Sequence, residues 1–323
     1  MLIKYINSNR LSVLIFISLL PAAIWAVSSI QNKIIQPAEV SGVLLGRQIT
    51  YFTNEYRILA SLIAFILLFT NGYMLNQLNT AYIFIPTRTQ LPLFFYLLII
   101  LMVKPLHQLT PALVASSIVL LSFFRIFKAV QSDQISINFL DTGLLIAIAS
   151  LFYPPAILFC LFAIAAVFIF RPLNWREPAY IVIGILLPYV FMLSFYYLLD
   201  ISIRDNLSNI SAFMHRQYLH SGLLNIIGWA YTGVLLIIGS LYMIQNLGAM
   251  KIQSRKFFTL LFIFFIISLI SYIVVPADVK GMVYFMALPM AFLLTNYFVK
   301  CSRNWINEGM LIMLLIAVIL QII

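Results

Sequence analysis

The three histidines of this chain, His107, His215 and His220, fall in polar breaks between long apolar runs, each near a cation. Lys104 precedes His107 in the segment KPLHQL, and Arg204 and Arg216 accompany His215 and His220 in Asp200–Gly222. Guanidinium and imidazolium groups suit phosphate oxygens, through charge-assisted and bidentate hydrogen bonds. The chemistry open to such a set is therefore anion binding, phosphate above all. Two carboxylates, Glu39 and Glu55, sit in the other long polar segment, Ile30–Arg57. No HExxH, phosphate-loop, dinucleotide-binding or nucleophile-elbow pattern occurs. The two cysteines, Cys160 and Cys301, lack spaced partners, so neither a disulfide nor a metal site is expected.

The elements that must hold these residues are set by composition. Of the 323 residues, 63% are hydrophobic and 9% charged, and mean hydropathy is +1.06. A soluble domain carries roughly 25% charged residues. The sequence predicts an all-α, polytopic transmembrane bundle, a single integral membrane domain without a soluble module. Strand-like alternation is absent, which argues against an outer-membrane barrel. The net charge of +10 is spread over turns between apolar runs, so anionic lipid headgroups account for it and nucleic acid is excluded as a partner.

Asp200–Gly222 reads as a short amphipathic helix on the membrane surface. Leu207, Ile210, Met214 and Tyr218 recur at helical spacing with Phe213 beside them, while Asn209, Arg216 and His220 fall opposite. Asp205 or Asn206 can cap its start and Gly222 can end it. The same stretch also reads as a solvated connector lying on the headgroups. In the first long loop, Pro37 and Glu39 suggest a surface helix through Leu45, ended by Gly46.

Apolar runs of membrane length predict about eleven spans, some of them short. Most of the 19 Lys and Arg then fall on the side of the N-terminus, in every short turn there, from Arg125 and Lys128 through Lys251, Arg255 and Lys256 to Lys300 and Arg303. By the positive-inside rule the N-terminus is cytoplasmic. Glu39, Glu55, Lys104, Arg204, Arg216 and all three histidines fall on the other side. Basic inner turns follow from topology; a cluster of acid, His and Arg on the outer side does not, so any chemistry belongs there. Trp175 and Trp305, beside inner turns, read as interface anchors. Asp141, at the expected start of a span, reads as a helix cap with Thr142 or as a partner of Arg125 or Arg171; an acid deeper in the membrane would instead suggest proton coupling.

Three runs are too short to cross ~30 Å of hydrocarbon: Leu91–Val103, Thr142–Tyr153 and Ala156–Phe170, the last two hinged at Pro154-Pro155. Their outer tips would end below headgroup level, flooring a hollow roofed by residues 30–57 and 200–222. Alternatively these helices extend through polar residues and protein fills the space.

At FIPTRTQLP (Phe84–Pro92), FLDTGLLIAIASLFYPPA (Phe139–Ala156) and FRPLNWREP (Phe170–Pro178) the chain resembles an uncharacterised family of multispan proteins from Bacteroidota. That resemblance implies a Gram-negative inner membrane. In layout it is also similar to the multispan GT-C type glycosyltransferases, which take sugars from polyprenyl-phosphate carriers. That likeness implies a carboxylate of the first outer loop as base or metal ligand, here Glu39 with Glu55 second. The chain departs from that pattern in having no paired acid directly after the first span. On this reading Arg204, His215, Arg216 and His220 hold the carrier phosphate, with Lys104 and His107 touching it from the floor. Two other functions stand beside it: a lipid or solute transporter or flippase, and a non-enzymatic subunit of an envelope complex with protein partners. The cofactor, if any, is undefined.

Overall fold

The computed structural model describes residues 44–85, 87, 89–102, 109–131, 135–170, 175–198, 223–274, 279–300 and 304–322, together with Val13 and Ile17. Every regular element among them is helical. We label the helices α1 (Leu44–Glu55), α2 (Arg57–Tyr82), α3 (Leu91–Leu101), α4 (Pro111–Gln131), α5 (Ile135–Phe152), α6 (Cys160–Phe170), α7 (Arg176–Leu198), α8 (Leu223–Asn246), α9 (Ile252–Val274), α10 (Val279–Lys300) and α11 (Asn304–Ile322). A 3₁₀ stretch, Pro154–Phe159, leads directly into α6. Seven of the helices are long and apolar enough to cross a membrane. The architecture is that of a multi-pass membrane protein, and the large side chains exposed on it, such as Ile66, Leu186, Phe191 and Ile273, are the apolar ones a lipid solvent accepts.

The core is built around two helices. α10 is buried over nearly its whole length and packs against α3, α8, α9 and α4. Every residue of the 11-residue α3 is buried, between α10 and α2. A helix this short reaches only about 16 Å at ~1.5 Å per residue. It can stay apolar on all sides because protein, rather than lipid or water, surrounds it. The sequence expectation of a short third run is correct.

One of the other two expected short runs is corrected. α5 starts at Ile135 rather than Thr142, because Ile135–Leu140, with Ser136 and Asn138 among its apolar residues, is helical and buries Asn138. Its 18 residues cover about 27 Å at ~1.5 Å each. The hinge at Pro154-Pro155 is present, with Tyr153 extended at φ −138° and ψ 100°. The hinge prolines open a 3₁₀ stretch, Pro154–Phe159, and the Pro154–Phe170 rod stays among the shorter apolar helices, as expected. An apolar-run count misses the start of α5 because Ser136, Asn138 and Asp141 interrupt it.

Contacts sort the helix ends into two groups. At one end Phe84, Phe127, Phe170 and Phe257 cluster, with Phe84 stacked on Phe257 at 3.4 Å and Lys256 Nζ 5.9 Å from the Phe170 ring. Lys128, Lys251 and Arg255 are exposed at this basic end. At the opposite end α1 lies against the start of α4 and the end of α5. Between the ends runs an unbroken column of rings: Tyr153–Phe285 (5.7 Å), Phe285–Phe159 (4.9 Å), Phe159–Phe264 (4.5 Å), Phe264–Phe123 (5.0 Å), Phe123–Phe127 (6.4 Å) and Phe127–Phe257 (5.0 Å). Each such pair is worth ~0.5–1.5 kcal/mol beyond the area it buries.

Candidate functional site

The expected site residues divide sharply. Glu39, Lys104, His107, Arg204, His215, Arg216 and His220 lie outside the described residues, as do the expected surface helix near Pro37 and the amphipathic stretch Asp200–Gly222. Glu55 is described. It is the last residue of α1 and is exposed.

α1 is the element that gives this end of the molecule its form. Gly46, Thr50 and Thr53 form its buried face, while Arg47, Gln48, Tyr51 and Glu55 are exposed. Gly46 does not end a helix, as the sequence suggested, but lies inside one. Its lack of a side chain serves approach: a Cβ there would stand 2.5 Å from the Phe152 carbonyl oxygen and 3.4 Å from Pro111 Cβ. The Thr53 hydroxyl lies 2.8 Å from Ile49 O in its own helix and 3.0 Å from Leu109 O, so its proton is shared between a local and a tertiary acceptor. The described part of the first long loop, α1, thus lies directly against the end of α5 and the start of α4, with no space between them at Gly46.

The exposed face of α1 carries a pairing that the sequence reading missed. Arg47 donates to the Tyr51 hydroxyl from Nη2 (3.1 Å) and Nε (3.3 Å), and its guanidinium carbon is 5.5 Å from the Tyr51 ring centre. Glu55 follows one turn later. The available signal was the i, i+4, i+8 spacing of Arg47, Tyr51 and Glu55, which a search for acids and histidines passes over.

Two of the quoted sequence motifs prove to be positioning devices. Asn79 on α2 accepts from the Ile85 N–H (2.9 Å) and donates to Thr87 O (3.3 Å). Asn76 accepts from the Leu93 N–H (3.2 Å) and donates to Gln90 Oε1. Thr89 Oγ1 accepts from the Leu91 N–H (3.1 Å). These bonds satisfy donors at the N-terminus of α3, which apolar surroundings would otherwise leave unpaired. Ile83, at φ 50°, reverses the chain after α2 so that the loop can reach the two asparagines. Farther along α3, the Tyr96 hydroxyl accepts from Asn71 Nδ2 (3.3 Å) and also meets Ser116 of α4. The short central helix is thus pinned through its polar start.

The second motif docks α5 on α7. A Cβ at Gly143 would overlap the Ile181 carbonyl, and one at Gly184 the Leu140 carbonyl, so the two backbones touch. Ser150 and the Tyr189 hydroxyl are 2.6 Å apart along the same seam. Of the two readings of Asp141, the cap is corrected and the partner of Arg125 holds: it stands well inside α5 rather than at its start, and pairs with Arg125 of α4, Nη1 to Oδ2 at 3.5 Å. Of the third motif, Trp175 is exposed as an anchor should be, and Glu177 is buried with Oε2 unpaired.

No curated protein and no solved structure matches the chain. A family model described as a family of unknown function (DUF6427) matches residues 8–323, and the chain belongs to that family.

Proposed function

We propose that the protein handles a lipid-linked substrate of the polyprenyl-phosphate type at the end of the bundle covered by α1, and that this chemistry extends to glycosyl transfer. The observation that carries the reading is the tie between Thr53 and Leu109. Leu109 follows His107 by two residues in the sequence, so the helix ending in Glu55 is tied to the chain next to two of the expected phosphate-binding cations. Arg204, His215, Arg216 and His220 would complete the anion site, and Glu39, with Glu55 second, would act as base. The same reading places the chain in a bacterial inner membrane with this end facing the periplasm, since the opposite end carries the basic turns. The unbroken aromatic column argues against a transport path through the centre, because alternating access would have to part rings that are mutually buried.

The test is what lipid the purified protein retains. The proposal expects polyprenyl phosphate enriched over its share of the membrane in the wild type, and lost several-fold in Lys104→Ala, His107→Ala and Arg216→Ala. It further expects Glu39→Gln to retain the lipid but abolish transfer of sugar from that carrier to an acceptor. A wild type carrying only bulk phospholipid in membrane proportion overturns the reading.

A further inference from the structure

The charged pair between α4 and α5 sits where charge is costly. Arg125 lies about six residues before the end of α4 and Asp141 about six residues after the start of α5, so both stand ~9 Å in from the basic end. Arg125 falls within the apolar stretch of α4 that is long enough to span. Yet the pair is not sealed inside the protein. The Arg125 side chain is 44% exposed and that of Asp141 31%. Leu121, one turn deeper on α4, and Ile137, one turn before Asp141, are exposed apolar side chains flanking it. The pair therefore opens onto the lipid-facing surface of the bundle.

A guanidinium in that position needs anions around it. Its fork offers five donors, and the contact with Asp141, a single one at 3.5 Å, occupies one side. Lys128 is exposed one turn nearer the basic end on the same helix. Two exposed cations thus lie one turn apart on α4, with Asp141 paired to Arg125 and the exposed Leu121 deeper on the same helix. A phospholipid has the complementary order: a phosphate monoanion at the headgroup and acyl chains deeper in the bilayer. We propose that Arg125 and Lys128 bracket the phosphate of a phospholipid from the leaflet at the basic end, with an acyl chain lying against Leu121 and Asp141 competing with the phosphate for the guanidinium. The site is at the opposite end from the one under α1 and does not depend on it.

Asp141 separates this idea from a simple structural strut. Wild type, Arg125→Gln, Lys128→Gln and Asp141→Asn are each titrated with phosphatidylglycerol in mild detergent, and bound lipid is counted by native mass spectrometry alongside thermal unfolding. The proposal expects bound lipid to fall at least threefold in Arg125→Gln and in Lys128→Gln. It expects no fall in Asp141→Asn, where a competing anion has been removed. Bound lipid unchanged in Lys128→Gln, or lost in Asp141→Asn in step with melting temperature, overturns it. A preference for polyprenyl phosphate over phosphatidylglycerol overturns the assignment to a bilayer phospholipid. If Arg125→Gln does not fold, the other two variants still decide.

Discussion

Gly143 and Gly184 are the positions where a single atom matters most, because each faces a neighbouring backbone carbonyl rather than a side chain that can turn away. Alanine at either should push α5 and α7 apart and cost ~1–3 kcal/mol, read as a lower midpoint in thermal unfolding in detergent. Gly233, inside α8 with open space where its Cβ would be, is the matched control, and alanine there should not lower the midpoint, since helix propensity favours it by up to ~1 kcal/mol. Asn76→Leu should be as damaging for a different reason. It strands the Leu93 N–H in an apolar interior and removes the donor to Gln90 Oε1, at ~1–3 kcal/mol for the buried N–H left unpaired. Conversely, Tyr51→Phe on the exposed face of α1 should not change stability measurably, since exposed polar pairs contribute little. A large loss there would mean that the Arg47–Tyr51 pair has a partner.

Among the elements, α1 is held to the residue that leads into α4. Thr53→Val removes the donor to Leu109 while keeping the shape, so it should cost ~1 kcal/mol, read as a lower midpoint in thermal unfolding in detergent. An unchanged midpoint would show that the Thr53 hydroxyl is satisfied within its own helix. Gly46→Val is the harsher version, since its side chain has to occupy the space of the Phe152 carbonyl. α3 itself has no lipid-facing side, so its stability comes from α10 and α2 rather than from the bilayer.

For the molecule as a whole, the aromatic column and the two sorted ends set the behaviour. Phe264 touches Phe123, Phe159 and Phe162, and Phe264→Ala should cost ~3–5 kcal/mol, the range for deleting a buried ring. In a background lacking Cys160 and Cys301, a cysteine at Lys128 and one at Glu55 should label from opposite sides of sealed vesicles. Labelling from the same side would reverse the direction of α2 to α4 and with it the assignment of the site under α1.

Apolar length suffices to locate α2, α4, α7, α8, α9, α10 and α11, because a membrane solvent punishes any other conformation of such segments, but not their polar ends: α2 runs on to Tyr82, α4 to Gln131, and α11 starts as early as Asn304. Basic turns suffice to group their ends, and the short α3 was visible as a short run. Tertiary packing decided the rest. Asp141 pairs rather than caps because Ile135–Leu140 before it is recruited into α5. Pro154–Phe159 winds as a 3₁₀ helix, which an apolar run does not reveal. The buried face of α1 is small rather than greasy because it rests on carbonyls. Side chains that satisfy backbone groups on another helix, as Asn76 and Asn79 do, leave no periodic trace. Their meaning lies in which loop the fold brings beside them, and one-dimensional spacing does not encode that.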